Sequence, residues 1–357
     1  MIVVHRALPL LVALLLSGCA TAAPSVPPPP VVTPALTPSA TPEPTPEPTV
    51  EPTAEPTESP TEPPTEPPTA PPTLPPTPAP SPPGTGVDEL VGSDGRMTVL
   101  ILGSDARERI PSYRTDTMLV MTIDPVTGKV AGVSLPRDTV AVPIGRGRVY
   151  GPRINGLMQQ METERGSRDA AGQGMKAALG HTFGVEIDHY MFMEFGGFEA
   201  IVDALGGVDV VLEQRLIDRT YKHPGRRQRG VRFPAGENHL DAPRALAFAR
   251  TRKSDSDYHR AFRQQQIVAA AAVAIRERGP AVLPSLIGLV TDGLVQTDIP
   301  LDAVPALFEL VGRARLDAPD AFVLSPYVYA DDGDVLYTTV LRTDVVRRLF
   351  DRYFAPV

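Results

Sequence analysis

Asp105, Asp116, Arg137, Asp257, Arg260 and Gln264 are residues whose types and spacing invite chemistry. The apolar run "MTVLIL" (Met97 to Leu102) ends at Gly103 and reads as a buried strand, which puts Asp105 and Arg107 at its tip. Thr117–Asp124 and Lys129–Leu135 read as two further strands joined by the turn "PVTG". Antiparallel strands return to the same end, so Thr115–Asp116 and Pro136–Asp138 lie together. If the first strand neighbours this hairpin in antiparallel sense, Asp105, Asp116 and Arg137 share one rim of the sheet. Two carboxylates beside arginines suit a hard cation with a phosphate: Mg²⁺ takes one or two carboxylates plus substrate oxygens, and arginine grips phosphate with two bonds. The alternative is a set of loop charges in water.

The second cluster is "RTRKSDSDYHRAFRQQQ" (Arg250 to Gln266), followed by the apolar "IVAAAAVAI". On a helix, Asp257, Arg260 and Gln264 fall on one face, and that face continues through Ile267, Val268, Ala271, Ala274 and Ile275. Solvated charges would oppose the apolar stripe instead of sharing it. The pattern therefore favours Arg260 and Gln264 pointing inward at the N-terminal end of the helix, where anions are favoured. Ala271 and Ala274 fit either an apolar channel beside the polar residues or close packing of helix on sheet.

These residues need elements to hold them. "GMKAALGHTFG" predicts a helix stopped by Gly184, "HYMFMEF" a strand, "GFEAIVDALGG" a helix closed by paired glycines, and "VDVVL" another strand. Asp241 is the expected N-cap of the short helix "DAPRALAFAR", and a long helix runs from about Asp257 to Arg278. Further helices are expected at Leu283–Val290, Leu301–Arg313 and Asp344–Tyr353, with short strands at Phe322–Leu324 and Leu336–Val340. Interleaved strands and helices give an α/β class: a central mixed β-sheet flanked by helices. "GQGMKA" matches a dinucleotide-binding pattern, but polar "RGSRDAA" precedes it, so it reads as a helix start.

Composition divides the chain. Residues 24–83 hold 26 of the 42 prolines, seven glutamates and no Lys or Arg. The repeats "EPTAEPTE" and "EPPTEPPT" cannot bury enough apolar surface to fold and favour a polyproline II spacer. The net charge of -8 contains those seven glutamates, leaving 34 basic against 35 acidic residues. That balance does not fit a non-specific nucleic-acid binder, despite the local basic cluster "YKHPGRRQRGVR". Cys19 is the only cysteine, which excludes a disulfide, a thiolate metal site or a cysteine nucleophile in the folded part.

"MIVVHRALPLLVALLLSGC" is a short apolar run ending in Leu16-Ser17-Gly18-Cys19, too short to span a bilayer as a helix. It resembles a bacterial lipobox, which implies a signal peptide over 1–18 and a diacylated Cys19. Two acyl chains make a stable anchor where one does not. The expected organisation is a lipid-anchored Pro/Thr/Glu-rich linker over 19–85 and a catalytic domain over 86–357, at the extracytoplasmic face of the membrane.

Taken in order, "LILGSDAR", "YRTDTMLVMTIDPVTGKVAGVSLPRDT", "RINGL", "FGGFEAIVDALGGVDV" and "ALAFARTRKSDSDYHRAFRQQQ" resemble the LytR-CpsA-Psr family of cell-envelope proteins over roughly Met97 to Ile275. The resemblance implies a Mg²⁺-dependent phosphotransferase that moves a glycopolymer, such as a teichoic acid, from a polyprenyl-pyrophosphate carrier onto peptidoglycan, with pyrophosphate hydrolysis as a side activity. It also implies an apolar pocket for the prenyl tail. By position it makes Asp105 and Asp116 the metal-associated aspartates and Arg137, Arg250, Arg252 and Arg260 the pyrophosphate-binding arginines. Asp257 and Gln264 match further head-group contacts, and Arg107 and Arg114 match recurrent motif arginines. The chain departs from the family in a shorter loop between Lys253 and Asp257, in His259 where glycine is common, in Arg153 where lysine is common, and in a lipobox in place of a transmembrane helix.

The implied chemistry is phosphoryl transfer, in which Mg²⁺ and the arginines neutralise the pyrophosphate while a peptidoglycan hydroxyl attacks. Asp105 or Asp257 is the candidate base by residue type. Two other functions fit the same groups: a surface module that binds polyprenyl phosphate or glycan without turnover, and a transcriptional attenuator. The lipobox and spacer place the chain on the wrong side of the membrane for the last.

Overall fold

The computed structural model describes residues 86–105, 113–224, 227, 229–252, 256–316, 319–326, 328–333 and 337–354. Cys19, the proline-rich stretch and Arg107 lie outside them.

Strand β1 (Met97–Ser104) pairs antiparallel with β2 (Thr115–Ile123), which pairs antiparallel with β3 (Val130–Ser134). The turn between β2 and β3 is tied by Asp124, whose carboxylate accepts the backbone N–H of Val126 and Thr127. Three short strands follow: β4 (Thr139–Val140), β5 (Val142–Gly145) and β6 (Arg148–Tyr150). Helices α1 (Leu157–Arg165) and α2 (Arg168–Phe183) come next, then β7 (His189–Met193) and α3 (Phe195–Ala204). Strands β8 (Val208–Leu212), β9 (Leu216–Lys222), β10 (Arg229–Phe233) and β11 (Gly236–Leu240) lead to α4 (Ala242–Arg250) and α5 (Asp257–Arg278). The chain continues through α6 (Leu283–Thr291), β12 (Val295–Thr297), α7 (Val304–Arg313), β13 (Asp320–Val323), β14 (Ala330–Asp332), β15 (Thr339–Leu341) and α8 (Thr343–Tyr353).

The main sheet has six strands in the order β12-β7-β1-β2-β3-β13. β7 and β13 are parallel to their neighbours β1 and β3, while β12 is antiparallel to β7, so the sheet is mixed as expected. Alternate residues split its faces. Leu100, Leu102, Met118, Val120, Ala131 and Val133 enter one core, shared with α1, α2 and α8. Helix α5 covers the other face, against β2, β3 and β13. A second core lies under α3, α4 and α5, with Val208 and Val210 of β8 and Phe233 of β10.

Helix ends follow the sequence signals. Ser167, Asp241 and Ser256 each cap a helix with a side-chain oxygen that accepts a backbone N–H. Gly184 ends α2 at φ 77°, a conformation that favours glycine. "GQGMKA" does not start a helix: α2 begins at Arg168, four residues earlier, and Gly172 lies inside it. That glycine serves packing, because a Cβ there would come within 2.5 Å of the Tyr190 ring. The basic "YKHPGRRQRGVR" run, read as a charge cluster, contributes to the β9–β10 hairpin. Phe233 of β10 anchors it in the second core, edge-on to Phe248 at 5.3 Å.

Candidate active site

The antiparallel meander delivers the expected rim. The C-terminal end of β1, the start of β2 and the end of β3 meet at one edge, with Ser104 opposite Thr115. The register skips a residue there: Gly103 faces Thr117 and Ser104 faces Thr115, so Asp116 is the extra residue of a β-bulge. The bulge turns the Asp116 side chain out of the ladder into a cavity of about 1500 Å³, which Asp105 also lines. Asp105 is held by its neighbour, accepting the Arg114 N–H at 2.9 Å while its own N–H donates to the Arg114 carbonyl at 3.1 Å.

Arg137 is the hub. Its guanidinium lies 2.7 Å from Asp116, 3.3 Å from Asp138 and 3.7 Å from Asp257. Burial alone would lower its pKa; the three carboxylates together hold it above the ordinary arginine value. Asp116 also accepts a hydrogen bond from Asn155 Nδ2 at 3.1 Å, and Asp138 pairs with Arg153 at 3.3 Å. Asn155 is 3% exposed, and the "RINGL" motif that carries it was the only sequence signal for it.

Helix α5 brings the second cluster to the same place. Asp257 stands 3.4 Å from Arg252 and 3.7 Å from Arg260. The Arg260 side chain is only 7% exposed, and its Nε has no hydrogen-bond partner among the described residues. Burial pushes its pKa down to about 10; Asp257 partly offsets this, and Arg252 and Arg137 add to the depression. A buried, incompletely bonded guanidinium is a costly group to leave in a folded protein, and it suits an anionic ligand. Gln264 donates to the Ala249 carbonyl at 3.2 Å and lines the cavity beside Arg260.

Arg250 ends α4. Its guanidinium sits 4.2 Å above the Phe195 ring and donates to the Tyr221 hydroxyl at 3.2 Å. Arg252 follows on the loop, exposed at the cavity wall. The structure thus brings Asp105, Asp116, Arg137, Arg250, Arg252, Arg260 and Gln264 to the large cavity, and Asp257 to the ion-pair network behind it. Arg114 is not brought there. Its neighbours Tyr113 and Thr115 are buried, so strand alternation turns its side chain to solvent, and only its backbone engages Asp105.

Ile101, Phe192, Phe198, Leu246, Ile267 and Val268 add an apolar stretch to the lining, and Arg168, Glu194, Lys222, His223 and Gln296 add further polar groups. Ala271 and Ala274 are not part of that lining. They pack with the second core, so the small side chains serve close packing there. Arg263 is a basic residue of this stretch that sequence reasoning left without a role. It is buried and caps the end of α4, donating through Nε to the Phe248 carbonyl at 3.0 Å and through Nη2 to the Thr251 carbonyl. Gln265, also unassigned, donates to Ser134 Oγ at 2.8 Å and to the Phe322 carbonyl at 2.7 Å, clamping α5 to β3 and β13.

No group of three or more His, Cys, Asp or Glu side chains able to hold a metal exists among the described residues. Asp105 and Asp116 still fit Mg²⁺, which binds hard oxygens and often takes its other ligands from water and phosphate. One Asp105 oxygen has no partner among the described residues, while both oxygens of Asp116 already accept bonds.

Residues 81–321 match the LytR_cpsA_psr family. A polyisoprenyl-teichoic acid–peptidoglycan teichoic acid transferase, TagU of Halalkalibacterium halodurans, is 31% identical over 217 residues, covering 58% of this chain and 62% of the relative. The cell wall biosynthesis protein LcpA of Corynebacterium glutamicum is 27% identical over 248 residues, 60% of this chain and 46% of that protein. The chain thus spans between about half and three-fifths of these relatives' length. Among solved structures, B. subtilis TagV superposes with a TM-score of 0.56 at 22% identity, covering 73% of this chain and 98% of TagV. TagT bound to LIIa-WTA gives 0.54 at 20% identity, covering 73% of this chain and 91% of TagT. These likenesses establish a shared fold.

Proposed function

The chain belongs to the LytR-CpsA-Psr family, and from that premise we propose that it transfers a glycopolymer from a polyprenyl-pyrophosphate carrier onto peptidoglycan. The observation that carries this reading is the junction, in one cavity, of an apolar stretch with a wall of arginines, of which Arg260 is buried. A ligand with a long apolar tail and a multiply charged head satisfies both parts at once; a free sugar phosphate or a fatty acid satisfies only one. The similarity to a teichoic acid transferase supports a polyanionic glycopolymer as cargo.

Arg137, Arg250, Arg252 and Arg260 would hold the pyrophosphate oxygens with charge-assisted bonds. The Arg260 Nε has no hydrogen-bond partner among the described residues. Arg250, braced on Phe195 and Tyr221, and Arg137, braced by three carboxylates, are fixed before ligand arrives, so little reorganisation opposes binding. Ile267 and Val268 continue from Gln264 along α5 and would receive the first isoprene units. Asp105 and Asp116 would hold Mg²⁺, which supplies further neutralisation of the phosphate oxygens when bound. Anchoring through acylated Cys19 outside the cytoplasm completes the proposal. No helix of the described residues is long and apolar enough to cross a membrane.

The test is direct. Purified chain is incubated with a polyprenyl-pyrophosphate glycan, Mg²⁺ and peptidoglycan fragments. The expected result is polymer covalently attached to the fragments, abolished by a chelator and restored by Mg²⁺. Tight donor binding with no attachment under any condition would assign the chain to a binding module instead. For the anchor, Cys19→Ala should release the protein from membranes or leave an unprocessed precursor; unchanged mass and membrane retention would contradict it.

A further inference from the structure

A second cavity, of about 500 Å³, shares Asp116, Arg137, Arg260 and Gln264 with the large one. The two lie on opposite flanks of β2. The large cavity opens over β1 and β7 and toward α3 and α4, whereas the smaller opens past Leu135–Asp138 toward Val323 and Thr339, over β3 and β13. The same polar wall therefore faces two separate spaces, each otherwise lined by different residues. Asp332, Tyr258, Tyr337, Thr338 and Thr339 give the second space hydroxyls and a carboxylate. Its volume is within the range of small-ligand sites, about 300–1000 Å³.

The outer wall of this cavity comes from the C-terminal segment beyond residue 321, outside the part of the chain that matches the family. It is nonetheless built onto the arginine loop. β15 pairs in parallel with β4, the Thr339 N–H donates to the Asp138 carbonyl at 3.3 Å, and the Leu324 N–H donates to the Ser134 carbonyl at 3.0 Å. Two side chains there are left available. Asp332 is exposed and makes no ion pair among the described residues, unlike Asp116, Asp138 and Asp257. Tyr337 is 81% exposed and held at φ 62°, a left-handed conformation unusual for an aromatic residue.

We infer that the smaller cavity is the acceptor site: it takes a sugar of the peptidoglycan glycan strand, with Tyr337 beneath the ring and Asp332 accepting from a ring hydroxyl. This rests on the proposed transfer reaction. In that reaction the acceptor oxygen bonds to the glycan-bearing phosphorus, and the bond from that phosphorus to the bridging oxygen breaks. The bridging oxygen keeps the electron pair and departs as prenyl phosphate, and the hydroxyl proton passes to water. Attack and departure at phosphorus are in line. A leaving group whose tail occupies the large cavity therefore calls for a nucleophile arriving from the other flank of the wall, where the smaller cavity lies. The Arg260 side chain borders both cavities, so its guanidinium lies between the two flanks.

The experiment uses the full chain and the variants Tyr337→Ala and Asp332→Asn, both at exposed positions where folding is undisturbed. Two affinities are measured separately: for a soluble peptidoglycan glycan fragment and for a prenyl-pyrophosphate glycan donor. The inference expects each variant to weaken fragment binding about tenfold or more, and to raise the acceptor KM in parallel, while donor affinity stays within about twofold. Fragment binding unchanged in both variants overturns it. So does a selective loss of donor affinity, which would place the donor's own glycan in the cavity, and so does a wild-type chain that binds no fragment. The two readings fail separately: a wild type that never transfers but binds fragment through Tyr337 and Asp332 would sink the transferase and leave the acceptor cavity standing.

Discussion

The two halves of α5 share one helical face but meet different surroundings. From Asp257 to Gln264 that face carries charge into a cavity, which Ile267 and Val268 also line; from Ala271 to Ile275 it packs apolar side chains against the second core. The cavity shapes the first half, where Arg260 holds a buried donor with no partner among the described residues. The second half is shaped by contact, so its alanines let the helix approach its neighbours closely. Where the halves meet, three successive residues point three ways. Arg263 turns back to the α4 carbonyls, Gln264 faces the cavity, and Gln265 clamps the sheet. A charged or polar residue near a site is thus not a site residue by proximity; its helical position decides whether it serves ligand or scaffold.

Substitutions can break or sharpen this contrast. The largest effect is expected at the hub. Arg137→Ala removes one pyrophosphate ligand and leaves Asp116, Asp138 and Asp257 facing one another, and donor binding should weaken by about 2–5 kcal/mol. Titration of donor measures it, and an unchanged affinity would return these charges to solvent. Arg263→Met should do the opposite. It strands the Phe248 and Thr251 carbonyls and should cost about 1–3 kcal/mol of stability in urea unfolding, with site geometry disturbed only through the α4–α5 loop. Loss of donor affinity without loss of stability would move Arg263 into the site.

Ala271→Leu probes the packed half. Overpacking should destabilise the chain by about 1–3 kcal/mol, while donor affinity measured well below the melting temperature stays near wild type. Stability unchanged with weakened lipid binding would revive a tail channel along the alanines. The smallest effect is expected at the helix start. Ser256→Ala removes the cap on the His259 N–H and should cost about 1 kcal/mol, seen as a lowered melting temperature with little change at the cavity.

Much of this was legible in the sequence where a long pattern or a forced geometry existed. The β1–β2–β3 meander follows from three apolar runs and one turn, and antiparallel return alone brought Asp116 and Arg137 together. The limits of α5 were legible because Ser256 and Asp257 open it and the arginines at 276 and 278 close it. The bulge at Asp116 was not legible, since it arises from pairing between strands and leaves no local signal. Nor were β4 and β14, each of two or three residues, too short for any periodicity, whereas the expected strand at Leu336–Val340 overlaps β15 at Thr339 and Val340. β14 and β15 contribute Asp332 and Thr339 to the smaller cavity. Arg263 looked like Arg260 in composition, and only the direction each takes from the helix separates them.

Pyrophosphate binding by the inward charges of α5 lies at the heart of the proposed function. It is tested most directly by titrating a short-chain prenyl pyrophosphate and the matching prenyl alcohol into the wild type and into Arg260→Met, a change that keeps the side chain's length and apolar stem. The wild type is expected to prefer the pyrophosphate strongly, and Arg260→Met to lose most of that preference while binding the alcohol as before. Equal binding of pyrophosphate by both proteins would contradict it.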